Sequence, residues 1–386
     1  MRCSTKGNIL LVGNYPSGTP YAWWLMEHFW SLLAGYFVTH GRKAFVAYPE
    51  ITELSEAVQS APVTPIELKL PWANADERKK TLEFITENNI SAIYFTDQSY
   101  LSYQYALLRM NGVKTIVVHD HTPGDRPPVK GVRGLLKACR NLVPFVTADW
   151  VLCVSELMRQ RNLHNGRIPS SKSIVVQNGI TPVKVTFGQG SELRESIGLT
   201  SDSFAVITTG RANAYKRFDF IIDCANHLNR IAPESKAVFI LAGDGPAMSL
   251  LKEQVERLNI QKRVRLLGFR DDIPQLLNTA DIAFHAAMGE GFSLSIIEYM
   301  SAGLPVLVPD LPSVSQATDN GVTGFIYPLE DKTTVINYIL ELESSEDSRA
   351  SIGRAAKNKA DNEYSLEKCS SDFMAAILKC YSANVQ

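Results

Sequence analysis

Short apolar runs alternate with longer amphipathic ones along most of the chain, the pattern of βαβ units and parallel sheets. In the first half, runs at 8–12, 43–47, 92–95, 114–118, 150–154 and 174–176 predict strands, and the Trp- and Leu-rich stretch 21–36 predicts the first helix. Residues 181–191, with Pro, Gly and polar side chains, read as a linker. A second series follows, with strands predicted at 205–209, 237–242, 264–267, 282–285 and 305–308 and helices between them. Beyond Asp361, the residues Leu366, Cys369, Phe373, Ile377 and Cys380 recur at three to four positions and predict a closing amphipathic helix. Two serial α/β halves imply two Rossmann-like domains facing a cleft, with ligands outside the carboxyl ends of the strands. The expected boundaries are 1–182, 192–361 and 362–386.

A length of 386 residues suits two domains rather than one core. The net charge of −1 leaves no global field that would recruit nucleic acid. The six cysteines are scattered without a C-x-x-C pair, which reads as reduced thiols in a reducing compartment. The apolar run at 9–12 is far too short for a signal core or a spanning helix, so a cytoplasmic chain is expected. One local stretch departs from the balance. Residues 126–146 carry Arg126, Lys130, Arg133, Lys137 and Arg140 with no acid, interleaved with Val129, Val132, Leu135, Leu136, Leu142 and Phe145. That is the composition of an interfacial segment on an anionic membrane, or of an ordinary amphipathic helix with a solvated basic face.

The densest chemistry lies at 289–306. Gly289-Glu290-Gly291 reads as a loop whose backbone can approach a ligand. A helix opening near Ser293 would offer free N–H groups to a phosphate, and Gly303 would stop it before a buried strand. Glu290 precedes that helix and Glu298 lies about a turn and a half inside it, so both carboxylates can face one pocket. Arg211 and Lys216, five apart in a strand-to-helix turn, can converge on a diphosphate. Gly243-Asp244-Gly245-Pro246 fits a tight turn after a buried strand as well as a ligand contact. His119-Asp120-His121 stands at the end of the strand 114–118, without further His or Cys near enough to complete a metal site.

The run Glu290-Gly-Phe-Ser-Leu-x3-Glu298 through Gly303-Leu-Pro-Val resembles the Glu-x7-Glu region of the GT4-type retaining glycosyltransferases, the glycosyl transferase group 1 family of GT-B fold. Gly210-Arg211 with Lys216, Gly243-x-Gly-Pro, and the segment Gly268-Phe269 to Ile273 are similar to that family's motifs in the same order. Arg217 stands where the family commonly has glycine. The resemblance implies a GT-B fold whose last helix returns to the first domain, and sugar transfer from a nucleotide sugar to an acceptor hydroxyl, with retention and with no metal or other cofactor. It assigns Glu290 to the donor sugar, Arg211 and Lys216 to the diphosphate, and Glu298 to the ribose. Phe292, Ser293 and Leu294 would give backbone N–H groups to the donor, while Gly210, Gly268, Phe269 and Ile273 would line the nucleotide. It also implies that His119 reaches the donor sugar and that Gly18 stands near the phosphates. The implied acceptor is a saccharide, a lipid-linked one if 126–146 meets a membrane. Two rival expectations are a nucleotide-sugar 2-epimerase of the same fold and a nucleotide-sugar-binding protein without turnover.

Overall fold

The computed structural model describes residues 7–19, 23–124, 128–184 and 190–382. Tyr21 and Arg126, which open two of the stretches read above, lie outside them, as do residues 185–189 of the expected linker. Seven parallel strands form the first sheet: β1 (Asn8–Val12), β2 (Ala44–Tyr48), β3 (Thr64–Glu67), β4 (Ile90–Thr96), β5 (Thr115–Asp120), β6 (Trp150–Cys153) and β7 (Ser173–Val175). Their order is β3-β2-β1-β4-β5-β6-β7. Six more parallel strands form the second sheet: β8 (Phe204–Thr209), β9 (Ala237–Ala242), β10 (Val264–Gly268), β11 (Ile282–Phe284), β12 (Val306–Pro309) and β13 (Gly324–Tyr327). Their order is β10-β9-β8-β11-β12-β13. The central strands are buried along their length, as expected where helices cover both faces of a parallel sheet.

The chain divides into two compact units, Met1–Asn178 with Glu367–Gln386, and Gly179–Leu366. The last helix, Leu366–Ser382, therefore belongs mostly to the first unit. There Phe373 stacks on Phe29 at 4.5 Å between ring centroids, and Tyr381 meets Phe37 edge-on at 5.4 Å. In the second unit Phe220, Phe284 and Tyr327 form an aromatic knot within a core drawn from β8, β9, β11 and the flanking helices. The unit's two ends are laced together where Ile180 donates to the Tyr364 carbonyl and accepts from the Leu366 amide, at 2.9 and 2.7 Å.

Two strands were not legible in the apolar pattern. β3 reads Thr-Pro-Ile-Glu, an edge strand with Pro65 and exposed ends, and proline is tolerated at an edge because one side needs no ladder donor. β13 is only four residues long. The strand ending in the His119 region is also longer than its apolar run: β5 continues through His119 and Asp120, which pair with Leu152 and Cys153 of β6.

Candidate active site

Along the second unit the chain adds β9 and β10 on one side of β8, then returns to place β11 on the other. The loops after β8 and β11 thus diverge at the topological switch point, the usual ligand crevice of such sheets. Past β8, the Asn213 side chain accepts from the Lys216 amide at 3.0 Å and caps a short turn at Ala214–Lys216. Arg217 then takes the left-handed conformation itself, at φ 55°. The strain of a non-glycine residue there is offset by ion pairs to Glu330 at 2.5 Å and Asp219 at 3.2 Å. This is how the loop does without the family's glycine.

The two loops are tied together. The Met288 amide donates to the Tyr215 carbonyl at 3.0 Å, and a Cβ on Gly289 would lie 2.8 Å from the Tyr215 hydroxyl, so only glycine lets them approach. The helix Leu294–Ser301 is clamped to the end of β8 by Tyr299, whose hydroxyl accepts from the Thr209 amide at 2.6 Å. Gly243 has a packing reason of its own: a Cβ there would fall 1.7 Å from the Gly210 carbonyl oxygen. Here the tight-turn reading accounts for the glycine.

At the centre, Lys216 Nζ donates to Glu290 Oε1 at 2.6 Å, and His285 Nε2 reaches the same oxygen at 3.1 Å. Burial alone would raise the Glu290 pKa, but the ammonium of Lys216 and the hydrogen bond from His285 outweigh it and bring it down to about 2. Burial, with Lys216 adding to it, keeps His285 below its ordinary value and hence neutral at pH 7, although Glu290 pulls the other way. Glu298 behaves oppositely. Desolvation lifts it to about 7, with Lys216 opposing only in part, and its carboxylate makes no hydrogen bond or ion pair among the described residues. One lysine thus lies between a carboxylate that is always ionised and one poised to ionise. His285 was read from the sequence only as a strand end; a polar side chain closing an apolar run at a carboxyl edge was the available signal.

The remaining sequence-predicted residues of this unit collect on the same edge. Ser293 is the N-cap of the helix Leu294–Ser301, and its buried hydroxyl has no hydrogen-bond partner among the described residues. The first amides of a helix have no partner inside it, so this start offers donors and positive dipole to an anion. Phe292 is buried against Tyr364. Arg211 is exposed and its guanidinium makes no ion pair among the described residues. Gly210 lies against the Lys216 stem, its would-be Cβ 3.6 Å from Cε. At the end of β10, Gly268 sits at φ 70° with open space around it, followed by Phe269 at 58% exposure. Arg270 and Asp272 pair at 2.6 Å and hold that loop up to Ile273, the first residue of the helix Ile273–Leu277.

In the first unit, Gly18 is exposed at φ 74° in the loop after β1, which is anchored by the Thr52 amide donating to Ser17 Oγ at 2.8 Å. His119 requires a correction. It is an interior residue of β5 rather than a loop side chain, 0% exposed, with Nδ1 2.5 Å from the Tyr94 hydroxyl and rings of Phe29, His121 and Phe373 around it. Its polar character hid it from the strand pattern; that hydrogen bond satisfies Nδ1, while the buried Nε2 has no hydrogen-bond partner among the described residues. Burial and the neighbouring His121 hold it well below the usual histidine range. Asp120 is buried too, in an ion pair with Arg161 at 3.1 Å and a hydrogen bond from Asn162 at 2.9 Å. Arg161 also donates to the Thr122 carbonyl at 3.0 Å, which fixes the loop leaving β5.

Residues 190–359 match the family described as glycosyl transferases group 1. The chain is 28% identical over 238 residues to a UDP-Gal:alpha-D-GlcNAc-diphosphoundecaprenol alpha-1,3-galactosyltransferase of Escherichia coli, covering 60% of this chain and 58% of that protein. It is 25% identical over 183 residues to the N-acetyl-alpha-D-glucosaminyl L-malate synthase of Bacillus anthracis, covering 47% of each. The chain thus spans about half the length of these relatives. In fold it is similar to a glycosyltransferase from Rickettsia africae ESF-5, with TM-score 0.78, 18% identity and 99% of each chain covered. It is similar also to Anabaena HepE in complex with UDP, with TM-score 0.75, 21% identity, 96% of this chain and 100% of that one. A parallel sheet in each unit, the switch-point loops and these likenesses agree: the fold is GT-B, and the second unit is a glycosyl transferases group 1 domain.

Proposed function

We propose that the chain moves a sugar from a nucleoside-diphosphate sugar to an acceptor hydroxyl, with retention at the anomeric carbon and without a metal. The observation that carries this is the Lys216–Glu290–His285 cluster at the switch point of the group 1 domain. Lys216 has three N–H donors and gives one to Glu290, which leaves two for a diphosphate. With Arg211 and the helix start at Ser293, it stabilises the negative charge that grows on the leaving diphosphate. Glu290, ionised throughout the neutral range, faces the positive charge developing on the sugar. Glu298 accepts the ribose hydroxyls, and Phe269 and Ile273 border the base. The acceptor proton passes to the departing phosphate, so His119, enclosed and neutral, is given no proton-transfer step. A relative acting on a diphosphoundecaprenol-linked sugar favours a lipid-linked saccharide as acceptor.

A thermal-shift panel of UDP, GDP, ADP and their sugars tests this. A ligand at about a hundred times its Kd stabilises the folded state by about 2.7 kcal/mol, so one base should raise the melting temperature clearly above the others. No shift with any nucleotide would contradict the proposal. With the matching donor, release of a free epimerised sugar nucleotide instead of a glycoside would convert the reading to a 2-epimerase.

A further inference from the structure

The helix Gly131–Asn141 is mounted inside out. Its buried residues are Gly134 and Asn141, seven apart and so on one face. The side chains that would ordinarily face a core point to solvent instead: Val132 is 74% exposed, Leu135 65% and Leu136 58%, and the free Cys139 shares their face. Leu142, Val143 and Phe145 extend the patch beyond the helix, at 70%, 45% and 56%.

Polar contacts, rather than apolar packing, hold this helix down. Asn141 Nδ2 donates to the carbonyls of Gly166 and Arg167 at 2.8 and 3.0 Å, Lys137 Nζ to the Asn165 carbonyl at 2.8 Å, and Tyr100 to the Asn141 carbonyl at 3.2 Å. Gly134 lies so close to the Val129 carbonyl that a Cβ would come to 2.4 Å. The rim of the patch is cationic, with Lys130, Arg133 and Arg140 exposed and no acid anywhere between 126 and 146.

We propose that this face docks on a bilayer containing anionic lipid, with the apolar side chains entering the headgroup boundary and the cations meeting the phosphates. An apolar strip flanked by cations is complementary to that surface. A second copy of the chain is a poorer fit, because two such faces would set cation against cation. The inference stands apart from the transfer reaction and can hold whether or not that reaction does. Among the described residues no helix is long and apolar enough to cross a membrane, so attachment here is to the surface.

The test is co-sedimentation of the full chain with phosphatidylcholine vesicles, with and without phosphatidylglycerol. Binding is expected only with the anionic lipid and should weaken as salt shortens the screening length below about 10 Å. Arg133→Glu with Arg140→Glu should weaken it about thirtyfold or more, and Leu135→Ser with Leu136→Ser at least about tenfold. Both pairs are solvent-exposed, so the melting temperature should not move, which separates lost docking from lost folding. In a Cys3→Ser background, an environment-sensitive dye on Cys139 should shift to the blue only with anionic vesicles. The proposal is overturned by wild-type protein staying in the supernatant at low salt, by equal binding to neutral vesicles, or by variants that bind as before. Self-association abolished by the leucine pair, without vesicle binding, would assign the face to a second copy instead.

Discussion

Exchange of Lys216 for alanine is expected to lower turnover of the matching nucleoside-diphosphate sugar by about 10²–10³-fold, the usual loss when one preorganised partner of a developing charge is removed. The side chain is held for this task. Its amide is fixed by Asn213, its stem lies along Gly210, and its ammonium is 2.6 Å from Glu290. The same substitution strips a part-buried carboxylate of its main counter-charge, and breaking such a pair destabilises by about 3–5 kcal/mol where burial is complete. The melting temperature should therefore fall as well. Lys216→Met combined with Glu290→Gln removes both charges and should recover most of the stability, yet stay inactive. Rates at saturating donor, measured beside melting curves, separate the two effects. A Lys216→Ala enzyme that is folded and turns over near the wild-type rate contradicts the assignment.

The second large effect is on stability, and it should run in opposite directions for the two glutamates. Glu298 has a folded pKa of about 7 against an ordinary 4.5, so between those values the folded state holds a proton that the unfolded state releases. Its contribution is fully present below pH 4.5 and is lost as pH rises through 7. Glu298→Gln does not titrate. Its stability advantage over wild type should accordingly grow across that window, by about 3 kcal/mol in all, and level off above it. Glu290 is depressed from 4.5 to about 2, so its contribution is present above pH 4.5 and is lost as pH falls toward 2. Urea unfolding of wild type and both Gln variants from about pH 2 to 8.5 reads the two slopes, Glu290 below pH 4.5 and Glu298 above it. A flat difference for Glu298→Gln across pH 5–7.5 would mean that its carboxyl is not desolvated as described.

Much of the second unit was legible because its signals were local. Strand ends, glycine positions and the two glutamates lie within short continuous segments, Glu290 in the loop after β11 and Glu298 in the helix that follows, and the fold keeps the loops after β8 and β11 side by side. His285 was missed because it closes an apolar run, and spacing alone does not show that the loop after β11 folds Glu290, five residues on, back onto its ring. Arg217 looked like a fault in a glycine-dependent turn, since the distant Glu330 that steadies it cannot be foreseen from spacing. In the first unit, His119 and Asp120 interrupt an apolar run without ending the strand: Tyr94 on β4 meets Nδ1 of His119, whose Nε2 has no hydrogen-bond partner among the described residues, and Arg161 and Asn162 satisfy Asp120. The stretch 126–146 was legible in composition but not in orientation. Periodicity shows that a helix has an apolar face; whether that face is covered depends on the rest of the fold.

The central claim is that a nucleoside diphosphate is held at the switch point of the group 1 domain, with Glu298 on the ribose and Glu290 reserved for the sugar. Calorimetric titration of the diphosphate selected by the melting panel, without any sugar attached, tests it most directly in wild type, Glu298→Ala and Glu290→Ala. A hydrogen bond to a charged group contributes about 1.5–3 kcal/mol, so Glu298→Ala should bind at least about tenfold more weakly. Glu290→Ala should keep an affinity within about twofold of wild type, since the bare diphosphate lacks the group it faces. Equal losses in the two variants, or no loss in Glu298→Ala, would contradict the account.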